Sequence, residues 1–159
     1  MPFAETGELR LDEVDERIGP STTAATFAGS RLRELGTLHL GAVERFTCRT
    51  RVEGRPAHIS ITFAAGYIQA VELVLLGGPG AAPYSDEPRL KRDHEAWLRS
   101  LTGREPELLP VVLDGRPLLP AAPGPDYPRR VAGPWGEAVS LLDARNGGAS
   151  IVVRYARPL

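Results

Sequence analysis

The side chains able to carry chemistry are few. Three histidines, His39, His58 and His94, fall on three different predicted elements, with no pair at helix or hairpin spacing. Metal ligands usually come as such local pairs, so no metal site is expected. His94 belongs to an apolar stripe and reads as a hydrogen-bonded core residue, whereas His58 faces out of its strand into solvent. The single cysteine, Cys48, has the inward parity of its strand and reads as a small buried apolar residue rather than a nucleophile. Ser60 and Ser140 lack the Gly-x-Ser-x-Gly elbow of an α/β-hydrolase. The run Gly77-Gly78-Pro79-Gly80 lacks the Lys-Ser/Thr of a phosphate loop and the strand and helix of a dinucleotide fingerprint. These residues therefore point to a non-enzyme without cofactor or metal.

Charge narrows the partners. Nineteen Lys and Arg against twenty Asp and Glu leave a net charge of −1 in 159 residues, which disfavours nucleic acid and anionic lipid as partners. Lys91 is the only lysine, every other basic residue being Arg. One cysteine excludes an internal disulfide framework. Residues 1–20 hold six carboxylates against Arg10 and Arg17, unlike the basic and then apolar start of a secretory signal. The apolar run Leu73 to Leu76 stops at Gly77, far short of the ~20 residues that cross a bilayer. A cytoplasmic protein is the expectation.

The elements that must position these residues follow from period and turn chemistry. Leu9 and Leu11 alternate with charged neighbours, as in a short half-exposed strand or extended segment. Ser21, Thr22 and Thr23 offer caps for a helix to about Ser30, anchored by Phe27. Gly36 and Gly41 bracket a loop or short strand holding Leu38 and Leu40. From Val43 the period is two: Phe46, Cys48 and Val52, then Ile59, Ile61 and Phe63, then Val71, Leu73 and Leu75 form the inner face of a three-stranded meander over 43–76. Its turns are Glu53-Gly54-Arg55-Pro56 and Ala64-Ala65-Gly66. After the Gly/Pro run 77–83, with Ser85 or Asp86 as cap, Leu90, His94, Trp97, Leu98 and Leu101 recur at helical spacing over 86–102, ended by Gly103. Asp86, Glu87, Asp93 and Glu95 with Arg89, Lys91, Arg92 and Arg99 read as its solvated face. Residues 104–134 carry eight prolines and read as an irregular excursion with at most a short strand at Leu109 to Leu113. Trp135 to Asp143 and Ala149 to Ala156, joined around Asn146-Gly147, make a C-terminal hairpin. The expected fold is a single α+β domain over 1–159, in two layers: an antiparallel sheet of about five strands packed on one main helix.

With that helix on one face, the other parity of the strands is left outside. Arg49, Arg51, His58 and Arg154 project from it, with Arg55 at a turn, as a basic patch suited to an acidic protein surface. These five residues are the candidate partner-binding site.

The C-terminal stretch Trp135-Gly136-x-Ala138-Val139-Ser140-x-x-Asp143-x-Arg145-x-Gly147-x-x-Ser150-Ile151-x-Val153-x-Tyr155 resembles a pattern found in small uncharacterised bacterial proteins. Phe27, Ser30 and Leu32, and Glu87, Lys91, His94, Trp97 and Leu98 on the helix, match earlier parts of it, so the likeness spans about residues 20–156. Chains of this build often look like immunity proteins encoded beside polymorphic toxins. The resemblance implies a non-catalytic protein that neutralises a toxin by occluding it. The Pro-rich stretch 104–134 departs from the pattern. The element order is also similar to that of class I secretion chaperones, usually acidic dimers with a further C-terminal helix; a secretion chaperone, or a small enzyme without a recognisable motif, is the alternative.

Overall fold

The computed structural model describes residues 2–76, 87–119, 123–124, 126–143 and 148–157. Two expected features, the cap at Ser85 or Asp86 and the Asn146-Gly147 turn, lie outside these residues, as does the Gly/Pro run at 77–83.

Twelve strands and three α-helices are present among the described residues, with a 3₁₀ turn at Leu32–Leu35. In chain order they are α1 (Phe3–Thr6), β1 (Leu9–Leu11), β2 (Glu16–Ile18), α2 (Ala24–Ala28), β3 (Thr37–His39), β4 (Glu44–Val52), β5 (Arg55–Ala64), β6 (Tyr67–Leu75), α3 (Glu87–Thr102), β7 (Glu107–Leu108), β8 (Val111–Leu113), β9 (Arg116–Leu118), β10 (Arg129–Gly133), β11 (Gly136–Asp143) and β12 (Gly148–Tyr155). Ten strands form one antiparallel sheet in the order β2-β1-β4-β5-β6-β12-β11-β10-β7, and β3 shares an edge of β4 with β1. β8 and β9 form a separate two-stranded ribbon.

This overturns the expectation of about five strands on one main helix. Of the described residues 48% are in strands and 21% are helical, and the sheet has twice the expected strands. The meander, α3 and the terminal hairpin match the expected segments. The strands that were missed, β2, β7, β9 and β10, are two to five residues long, and β1 and β3, which the sequence offers only as short strands or irregular segments, are three. A period of two cannot show itself in so few residues, and only the neighbouring strand tells such a segment to be extended. The stretch 104–134 is likewise not one irregular excursion. It holds β7 to β10, since Pro is tolerated at strand ends and free edges.

The long strands form for the reasons their composition suggests. The turns Glu53-Gly54 and Ala65-Gly66 place both central residues at positive φ (47° and 80°; 52° and 83°), the geometry whose twist matches a hairpin. Inward residues Phe46, Ile59, Ile61, Phe63, Val71, Leu73, Ile151 and Val153 are essentially fully buried in one core cluster. Thr23 caps α2 with a reciprocal hydrogen-bond pair to Thr26, which sets Phe27 against Phe46 and Phe63 with ring centroids 4.8 and 5.1 Å apart. An N-terminal arm ties the two halves of the sheet together. Phe3 packs on Trp135 at 4.8 Å, the Trp135 indole donates to the Ala4 carbonyl, and the buried Tyr155 hydroxyl donates to the Gly7 carbonyl.

Candidate functional site

α3 covers the inner face over β6, β12, β11 and β10, leaving the opposite face of β4 and β5 to solvent. The register places Arg45 opposite Thr62, Thr47 opposite Ser60, Arg49 opposite His58 and Arg51 opposite Pro56, all on that outer face. Arg45, Arg49, Arg51 and His58 are exposed. Residues two apart on a strand are separated by ~6.8 Å, so the three arginines make a ladder some ~20 Å long once their side chains are included. Arg45 donates from Nε to the Ser60 hydroxyl at 2.6 Å, and Arg51 donates to the Gly54 carbonyl at 2.7 Å. Neither bond neutralises charge. The Arg49 and His58 side chains have no hydrogen bond or ion pair among the described residues. The strip is thus a row of guanidinium groups without carboxylate partners, next to one imidazole.

The other two residues of the expected patch lie elsewhere. Arg154 shares the outer face but sits three strands away on β12, about 14 Å at the usual strand spacing. There Glu137 bridges it, at 3.3 Å, to Arg130, at 3.1 Å. Arg55 points to the opposite face. It pairs with Asp93 of α3 at 2.9 Å and lines a groove of about 660 Å³ with Phe3, Arg10, Arg17 and Trp97. Each arginine in that groove faces a carboxylate: Arg10 faces Asp12 and Asp15, Arg17 faces Glu8 and Arg55 faces Asp93. In place of Arg55 and Arg154 the strip gains Arg45, whose parity with Arg49 and Arg51 was visible in the alternation around Phe46.

A second polar cluster lies under α3, on residues the sequence assigns to a solvated helix face. Lys91 is fully buried and ion-paired with Glu95, which also accepts from the buried Ser140 hydroxyl at 3.4 Å. His94 is fully buried, and its Nε2 accepts the Leu75 backbone N–H at 3.2 Å. Its Nδ1 therefore carries the proton and has no partner. Burial, reinforced by the nearby Arg55 and Lys91 charges and opposed by Asp93, holds the His94 pKa down at about 4. Glu87 accepts the Ala149 N–H at 2.6 Å, tying the start of the helix to β12. Cys48 is buried, and burial with the nearby Glu13 pushes its thiol up to about 11, so it carries almost no thiolate at neutral pH.

No group of three His, Cys, Asp or Glu among the described residues could hold a metal ion, and none of their helices is long and apolar enough to cross a membrane. No protein-family model matches the chain, and no curated protein or solved structure matches it.

Proposed function

We propose that this protein is a non-catalytic binding module that occludes an acidic surface of a protein partner, in the manner of an immunity protein covering its toxin, with the outer face of β4 and β5 as the contact. The observation that carries this reading is the ladder Arg45, Arg49 and Arg51 beside His58, which meets no carboxylate among the described residues and lies on a face that no described helix covers. Guanidinium forks that meet no carboxylate among the described residues keep further N–H donors for the carboxylates of a partner, and a sheet lowers the entropic cost of presenting them. Like charges along one strand also accelerate encounter with an acidic surface.

The test is to read the genes on either side of this one for a toxin-domain protein and, with any such protein, to measure co-purification, binding and protection of cells that express it. The expected result is protection by the wild type and its loss in Arg49→Glu/Arg51→Glu, with association slowed most at low salt. Binding and protection unchanged by that double reversal, with the fold intact, would remove the strip from the interface. Absence of any binding would remove the immunity role.

A further inference from the structure

On the β1–β2 ladder Arg10 lies directly opposite Arg17, and both are exposed while Leu9, Leu11 and Ile18 turn into the core. Like charges directly across a ladder repel, so strand pairing gains nothing from them. Both arginines line the groove of about 660 Å³ whose other wall is α3, and Arg55 enters it from the start of β5. That volume is in the range of small-molecule sites.

The three arginines are not equally engaged. Arg55 meets Asp93 at 2.9 Å, a full charge-assisted bond. Arg10 comes only to 3.6 Å from Asp12 and 3.4 Å from Asp15, and Arg17 only to 3.8 Å from Glu8. These distances exceed the ~2.7–2.9 Å of such a bond, so both forks keep donors for another oxyanion. None of the three carboxylates lines the groove. The two that do line it are already committed, Asp93 to Arg55 and Glu53 to the Arg10 backbone N–H at 2.8 Å. Three lining arginines against two lining carboxylates leave one positive charge in excess. Phe3, Trp97 and Leu101 supply an apolar wall, and the first two are anchored in the core cluster.

We propose that this groove binds a small monocarboxylate with a flat apolar body, its carboxylate held by the Arg10 and Arg17 forks and its body against Phe3 and Trp97. A guanidinium fork matches a planar carboxylate with two parallel hydrogen bonds. The single excess charge favours a monoanion over a phosphate dianion. A carboxylate set between Arg10 and Arg17 also relieves their repulsion, a gain that no neutral ligand offers. Neither Arg49 nor Arg51 lines the groove, so the inference is independent of the outer strip.

Calorimetric titration of the full chain near neutral pH tests it, with naphthoate as the probe. Naphthylmethanol is the neutral isostere, naphthyl phosphate the dianion and acetate the anion without a body. Naphthoate is expected to bind one-to-one with a Kd of roughly 10 μM to 1 mM for a ligand of its size. The other three are expected to bind at least about tenfold more weakly. Arg10→Gln and Arg17→Gln are each expected to weaken naphthoate binding at least about tenfold. Ala96→Phe, which adds a ring to the groove from an exposed position of α3, is expected to abolish it, and Arg49→Gln to leave it unchanged. Lack of saturation at about 5 mM naphthoate overturns the proposal. So does naphthylmethanol or naphthyl phosphate binding as tightly as naphthoate, and so does an affinity that both arginine variants leave unchanged while their circular dichroism stays native. Ala96→Phe binding like the wild type, or Arg49→Gln losing as much as Arg10→Gln, overturns it as well. If an arginine variant loses its fold, the ligand series and Ala96→Phe decide alone.

Discussion

The outer face of β4 and β5 and the inner face under α3 carry similar side chains in opposite circumstances. On the outside, Arg45, Arg49 and Arg51 are exposed, and none of them is ion-paired with a described residue. On the inside, Lys91 is sealed from solvent and its ammonium meets Glu95, which also takes the Ser140 hydroxyl. Water stabilises the outer charges, so the fold does not depend on them. In the interior the desolvation penalty is offset only by the partner, so the fold depends on each member of the pair. The same chemistry is therefore available for binding on one face and committed to structure on the other.

Breaking the inner pair is expected to have the largest effect. Glu95→Ala leaves a buried ammonium uncompensated and should cost about 3–5 kcal/mol in urea unfolding, whereas the double variant Lys91→Met/Glu95→Leu should restore most of that stability. An equal loss in the single and double variants would show that the pair itself is not the cause.

His94 supplies a pH test of the same seam. An unfolded histidine takes up its proton near 6.5, while the buried one does so only near 4, so the unfolded chain binds more protons between those values. The stability from the neutral ring is thus complete above about pH 6.5 and is lost as pH falls through that window towards 4. The full depression corresponds to roughly 3 kcal/mol. Stability of the wild type minus that of His94→Gln, followed from pH 7 to 4.5, should shrink accordingly; a flat difference would contradict the burial of a neutral ring.

A smaller effect is expected where the N-terminal arm closes the core. Trp135→Phe keeps the ring packed on Phe3 but loses the bond to the Ala4 carbonyl, for about 1 kcal/mol and faster amide exchange at Gly7. The smallest change in stability belongs to the outer strip: Arg49→Glu/Arg51→Glu should stay within about 0.5 kcal/mol of wild type per site while changing binding. A large loss of stability there would mean that the strip is structural, and the contrast between the two faces would fail.

The sequence made the long alternating strands and α3 legible because eight or more residues in phase outweigh any local exception. Cys48, Phe46 and Phe63 were correctly assigned inward on that basis. The same reasoning failed for Lys91, which helical spacing sets three residues before His94 on the apolar stripe, but whose charge argued for solvent. It also failed for Asp114-Gly115, a strong hairpin signal between apolar residues that the surrounding prolines obscured. Arg55 was misplaced because the strand begins at that residue, and its parity, opposite Val52, depends on where the turn ends.

By itself the sequence determined periodicity, the turns at Glu53-Gly54 and Ala65-Gly66, and the alternation that puts Arg49, Arg51 and His58 on one face, because these depend on backbone sterics and neighbours within a few residues. Only the tertiary structure decided that short segments near both ends of the chain extend a meander into ten strands, that Glu137 claims Arg154, that Asp93 claims Arg55, and that the sole lysine is buried. Each of those outcomes rests on a partner distant in sequence, and pairing between distant residues is set by packing rather than by local propensity.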